Sequence, residues 1–216
     1  MLFGAMSANG DAIDNWNIAR DSSAVSENTG LTTDSPTFGD GTSGNVDDAF
    51  VTGEFGQTVS LAVGDTLTVS YDINYTGGSD SANQYRFVVG NYGATADQAW
   101  TGGWNMVYGE GIYQGRTNGN IQSTGTNAVL LGASQTETGT FSGNSTADYT
   151  YTFSITRDTA TTVDLEGSLV GGDGPLNIVY TVADQTTSLF DYNGVGLLFG
   201  NGANMDQVAI TNAEFT

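Results

Sequence analysis

Two stretches of this chain alternate apolar and polar residues one by one, and that period of two constrains the fold more than any other feature. Between residues 66 and 75, Leu67, Val69, Tyr71, Ile73 and Tyr75 fall on one side, and Thr66, Thr68, Ser70, Asp72 and Asn74 on the other. Between 149 and 157, Tyr149, Tyr151, Phe153 and Ile155 oppose Thr150, Thr152, Ser154 and Thr156. A helix would scatter such residues around its circumference, whereas an extended strand sorts them onto a buried and a wet face. Residues 59–63 alternate as well, so Gly64-Asp65 predicts a tight hairpin turn between 59–63 and 66–75. Val163, Leu165 and Leu169 predict the strand after 149–157, and Ile178, Tyr180 and Val182 predict another beyond the Gly-rich turn at 171–175. Further strands are expected over residues 16–19, 49–55, 84–89, 105–113, 128–131, 196–199 and 207–215, and a short helical turn over 184–189.

Roughly a dozen short strands with half-apolar faces need a second layer to bury them. The predicted fold is all-β: a two-sheet antiparallel β-sandwich of the jelly-roll kind, one domain over residues 1–216. Composition agrees, with 31 Gly, only 2 Pro, and ten Phe plus ten Tyr to fill the space between sheets. Residues 21–48, rich in Ser, Thr, Gly and Asp, read as a long loop, and no repeat divides the chain.

Charge and missing residue types exclude whole classes of function. There are 24 acidic residues against four basic ones (Arg20, Arg86, Arg116 and Arg157), for a net charge of −20. Such a chain repels a phosphate backbone and an anionic membrane surface. Cys and His are absent, which removes thiolate and imidazole metal sites and any Cys–His or Ser–His nucleophile system. No stretch is long and apolar enough to span a bilayer. The opening residues, with apolar Leu2, Phe3 and Met6, read as a first strand, with a signal-peptide remnant over 1–8 as the alternative.

Several segments resemble the concanavalin A-like and laminin G-like jelly rolls of bacterial extracellular proteins. The run from Val59 to Tyr71 resembles a strand pair of that family, and Tyr85 to Gly90 the strand that follows it. Tyr149 to Leu169 resembles the family's back-sheet hairpin. Gly194 to Phe199 and Met205 to Thr211 resemble its closing strands, with Gln207 where Asn is common. Asn9-Gly10-Asp11 followed by Trp16 resembles the opening of carbohydrate-binding jelly rolls, without their Phe and Glu. The resemblance implies an extracellular or cell-surface sandwich. It also implies a structural calcium between first and last strands, which points to Asp206.

Three kinds of site follow. Glycosidases of this fold set carboxylates on alternate residues of one strand, and the only such pair inside a predicted strand is Asp164 and Glu166, opposite the apolar face and therefore solvated. With no His or Lys to act on a uronate, a polysaccharide lyase or hydrolase is the weakest reading, and no catalytic residues are assigned. Calcium needs six to eight oxygens, and the acids available in loops or near the chain ends are Asp34, Asp40, Asp47, Asp48, Asp11 and Asp206. Aromatic rings for stacking on the C–H faces of a sugar concentrate between residues 91 and 116. Tyr92, Trp100, Trp104, Tyr108 and Tyr113 lie there, with Asn105 and Gln98, and Asn118 just beyond, for its hydroxyls; the same rings would equally fill a core. Asn74 and Asn144 head glycosylation triplets.

Two functions remain open. One is a structural or adhesive subunit that self-associates into a filament by adding the segment of Leu2, Phe3 and Met6 to a neighbour's sheet edge. The alternative is a carbohydrate-binding module that stacks a glycan on Trp and Tyr.

Overall fold

The computed structural model describes residues 10–20, 28–29, 31–39, 41, 49–77, 85–91, 110–115, 121–124, 134–138, 147–171, 176–199 and 205–216. The strands are β1 (Asp11–Ala12), β2 (Asp14–Arg20), β3 (Asn28–Thr29), β4 (Thr37–Phe38), β5 (Ala49–Ser60), β6 (Thr66–Gly77), β7 (Tyr85–Asn91) and β8 (Glu110–Gly115). They continue with β9 (Ile121–Thr124), β10 (Ser134–Thr138), β11 (Ala147–Arg157), β12 (Thr162–Gly171), β13 (Leu176–Thr186), β14 (Asp191–Phe199) and β15 (Met205–Phe215). Among the described residues twelve strands have four residues or more, three are two-residue bridges, and there is no helix. None is therefore long and apolar enough to cross a membrane.

The strands form two antiparallel sheets. Nine strands make one, in the order β10-β13-β12-β11-β6-β15-β4-β3, with β1 also paired to β15; six make the other, in the order β2-β5-β14-β7-β8-β9. The inner rows are those the alternation predicts. Leu67, Val69, Tyr71 and Ile73 of β6 and Tyr149, Tyr151, Phe153 and Ile155 of β11 are all buried. Facing them from the six-stranded sheet are Val51, Phe55, Val89, Val195 and Leu197, in the same core cluster. Aromatic contacts tie the layers: Phe55 stacks on Phe215 with centroids 4.3 Å apart, and Trp16 meets Phe38 edge-on at 6.3 Å. Trp16 and Ile13 lie against Gly53, where an added Cβ would come within 2.9 Å of both side chains.

Two sequence expectations need correction. Residues 61–65 do not close a hairpin, because β5 and β6 belong to different sheets. They form a corner that carries the chain from one layer to the other. Gly64 takes the left-handed conformation (φ 94°), and the Asp65 carboxylate accepts the Ala62 N–H at 2.9 Å. Residues 184–189 hold no helical turn: β13 continues to Thr186. Asp184 (φ 56°) instead kinks the strand while its N–H donates to Asp164 Oδ1 at 2.8 Å. Strand 84–89 extends to Asn91, the strand expected over 105–113 is β8, and residues 128–131 lie outside the described set. The polar strands β9 and β10 carried no alternation to announce them.

Arg157 seals the end of the sandwich where this corner lies. Its Nη1 donates to Leu61 O at 2.6 Å, Nε to Thr159 O at 3.2 Å and Nη2 to Ala160 O at 3.1 Å. The guanidinium lies 3.7 Å over the Phe190 ring. Its main chain pairs with the corner as well, through Gly64 N–H to Arg157 O and Arg157 N–H to Asp65 O. One planar, always-charged group thus joins the β5–β6 corner, the β11–β12 turn and the loop before β14. Arg157→Ala is expected to lower the unfolding free energy by about 2–4 kcal/mol, and Arg157→Lys to recover less than half of that, since an ammonium cannot reproduce the fork. Urea denaturation of the three proteins checks both.

Beside this cap, the buried Tyr192 hydroxyl donates to Leu189 O at 2.9 Å. Burial pushes its pKa well above the usual 10.0, the nearby Asp191 charge pushes the same way, and Arg157 opposes both. The phenol therefore ionises later in the folded chain than in the unfolded one. Its contribution to stability is complete below pH 10 and is lost as pH climbs from there through the raised folded value. Thermal melts from pH 8 to 12 should show Tm falling more steeply above pH 10 in the parent chain than in Tyr192→Phe, which itself costs about 1 kcal/mol at neutral pH.

Candidate functional site

The six-stranded sheet has an inner face that fills the core and an outer face that does not. On β14, Val195 and Leu197 point inward, so the intervening Gly194 and Gly196 belong to the outer face. On β7, Val89 points inward and Gly90 outward. Strand register then aligns these glycines. Glu54 of β5 pairs with Gly194, Gly194 with Gly90, Gly90 with Gly111 of β8, and Gly111 with Thr124 of β9. Three glycines on three neighbouring strands make a transverse row without side chains, about 15 Å wide at the usual strand spacing. The next row runs Thr52, Gly196, Val88, Tyr113 and Gln122. Gly90, Gly194 and Gly196 are buried.

Glycine is a poor choice for the middle of a strand, costing about 0.5–1 kcal/mol relative to Ala and offering nothing to pack. A file of them across a sheet is the arrangement in which another molecule or chain segment approaches the peptide planes closely. Sequence reading missed this row. Its only signals were glycines inside strand-like runs, Val88-Val89-Gly90 and Gly194-Val195-Gly196, and nothing in one dimension shows that these align.

Asn91 ends β7, Glu110 begins β8, and the two pair with each other beside the glycine row, while residues 92–109 lie outside the described residues. Tyr113 stands in the adjacent row, in register with Val88 and Gln122. Tyr92, Gln98, Trp100, Trp104, Asn105 and Tyr108 lie outside the described residues, as does Asn118.

The acids proposed for calcium are not assembled by the described part of the chain. Asp11 pairs with Phe215 at the far end of β15, and Asp206 sits at its start, roughly 30 Å away along an extended strand. Asp11 accepts from Gln57 Nε2 at 3.5 Å, and Asp34 is exposed and accepts from Ser35 Oγ at 3.0 Å. Asp40, Asp47 and Asp48 lie outside the described residues. Among the described residues, no three acidic side chains converge to hold a metal ion. Asn74 lies half-buried in mid-strand with its Nδ2, the atom a glycan would be attached to, donating to Asp148 Oδ1 at 2.6 Å. Asn144, Leu2, Phe3 and Met6 lie outside the described residues. Asp164 and Glu166 occupy the outer face of the nine-stranded sheet, with Val163 and Leu165 buried behind them, as the alternation required.

Fold comparison places the chain among known architectures. Lectin UEA-II, solved in complex with galactose, is similar over 96% of each chain with a TM-score of 0.54 at 12% identity. The metal-free lectin I-B4 from Griffonia simplicifolia is similar over 96% of this chain and 91% of its own, with a TM-score of 0.51 at 11% identity. The fold is a lectin-type jelly roll. No protein-family model matches the sequence, and no curated protein matches it either. The lectin-type architecture is thus reached by a sequence only 11–12% identical to those lectins.

Proposed function

We propose that this domain is a non-catalytic, extracellular carbohydrate-binding module whose ligand lies across the glycine row of the six-stranded sheet. The row Gly194–Gly90–Gly111 is the observation that carries the reading: a floor without side chains lets a sugar ring approach the sheet, at a cost in strand stability. The setting suits the chemistry. The sequence between Asn91 and Glu110, which pair at one border, is rich in Trp and Tyr, and the neighbouring register positions hold Tyr113, Gln122 and Thr124. These are residue types that stack on C–H faces and bond hydroxyls. The lectins that share the fold bear on the same reading, one of them complexed with galactose. A chain without His, Cys or Lys has few groups able to shuttle a proton near neutral pH, which favours binding over turnover.

The filament reading rested on the segment of Leu2, Phe3 and Met6, and no observation on the described residues favours it. The glycan-binding alternative is preferred. A neutral ligand fits a net charge of −20 better than an acidic polysaccharide does.

A glycan array of the purified chain, followed by calorimetry on the best hit, tests the proposal. Gly90→Val puts into the row a residue suited to strands, and Tyr113→Ala removes a ring beside it; each is expected to weaken binding at least tenfold with the far-UV circular dichroism unchanged. Unaltered affinity in both variants, or an array without hits, would sink the reading.

A further inference from the structure

The outer face of the nine-stranded sheet is a ladder of polar pairs, and one part of it is hollow. Where β6 and β11 begin their pairing, hydroxyl meets hydroxyl: Thr66 with Thr156 at 2.8 Å and Thr68 with Ser154 at 3.0 Å. Four residues further along the same strands the chemistry changes. Thr150 Oγ1 donates to Asp72 Oδ1 at 2.7 Å, Asn212 Nδ2 donates to Asp72 Oδ2 at 2.8 Å, and Asn74 Nδ2 donates to Asp148 Oδ1 at 2.6 Å. There the sheet surface opens into a cavity of about 400 Å³, lined by Asp72, Asn74, Asp148, Thr150, Gly171 and Thr211.

Two backbone irregularities border the hollow. Gly171, at the end of β12, has φ 121°, and a Cβ there would collide with the carbonyl oxygen of Asp148. By register Gly171 lines up with the inward-facing Tyr149, and the polar row's position on β12 is Val170, opposite Thr150. On β15 a bulge between Thr211 and Glu214 places Asn212 at φ 54° and brings its amide to Asp72. Both features cost stability that hydroxyl pairs would not. They also set Asp72 and Asp148 diagonally across two strands in a chain already at −20. Val170, 45% exposed, adds an apolar wall to the rim.

We infer that this hollow is a second binding site, on the sheet opposite the glycine row, for one pyranose unit of a neutral saccharide. The size suits a small ligand. Fixed planar carboxylate and amide groups suit vicinal hydroxyls, with Asp148 Oδ2 and Asn74 Oδ1 outside the bond between the two side chains. Val170 offers a surface for the C–H face of the ring. The ligand class rests on the glycan-binding reading, but the site stands on its own residues. With one site on each sheet, a single domain would bridge two glycan chains, and its avidity for a polymer would exceed either affinity.

Amide chemical-shift mapping of the full chain with D-galactose, D-glucose and D-mannose, and separately with calcium chloride, tests it. The expected result is saturable sugar-dependent shifts at Gly171, Thr211 and Asn212 that vanish in Val170→Arg, whose exposed side chain fills the hollow without touching the core. Shifts confined to Gly90, Gly194 and Gly196 would leave the first site standing and overturn the second. Shifts at Gly171 and Asn212 with calcium alone would overturn it in favour of a cation site. Sugar-dependent shifts there that survive in Val170→Arg, or none at all, would overturn it too.

Discussion

Ten consecutive residues of β6 pair with ten of β11 without a register shift, and the rest of the molecule is built outward from that pairing. Side chains alternate across a strand, so a slip of one residue would exchange the faces. It would put Leu67, Val69, Tyr71 and Ile73, or the four apolar residues opposite them, into water. Four buried side chains at stake amount to a penalty of about 6–12 kcal/mol, comparable with the whole stability of most domains. With that register held, β12 and β13 extend the sheet on one side and β15 on the other, and the inner row receives the six-stranded layer through Phe55, Val89, Val195 and Leu197. Outward-facing hydroxyls, amides and acids are then placed at fixed spacing without further instruction.

The price of this economy falls at the points where the chain leaves a sheet or interrupts it. The β5–β6 corner changes layer within five residues, and a single guanidinium gathers the carbonyls around it. The glycine row leaves strand interiors without side chains, and the hollow lies between Gly171 at the end of β12 and the bulge on β15. A sheet selected only for stability would carry β-branched residues at such positions. The glycine row and the hollow lie on faces turned away from the core, one on each sheet.

Much of the fold was legible in one dimension. The faces of β6 and β11 follow directly from period two, and Asp164 and Glu166 lie outside for the reason the alternation implied. The turn at 61–65 was misread because Gly-Asp between two alternating runs specifies a reversal of the chain but not the layer in which the next strand lands. Asp184 looked like part of a helical turn because an acidic, polar stretch does not reveal a strand kinked by a residue in the left-handed conformation. β9 and β10 escaped notice because their polar residues carry no alternation. The aromatic segment was seen as a binding feature, but its relation to the glycine row was not, since the four strands of that row come from residues 54, 90, 111 and 194.

The sequence by itself determined the class of fold, the faces of the long strands, an acidic exterior and the absence of imidazole and thiol chemistry, because each depends on residue type or on neighbours one or two positions apart. Tertiary structure alone decided which glycines share a row, which acids stay apart, as Asp11 and Asp206 do along β15, and where the polar ladder opens into a hollow. Those are properties of register between strands distant in the chain. Register is set by the summed burial of both sheets and not by any local run of residues.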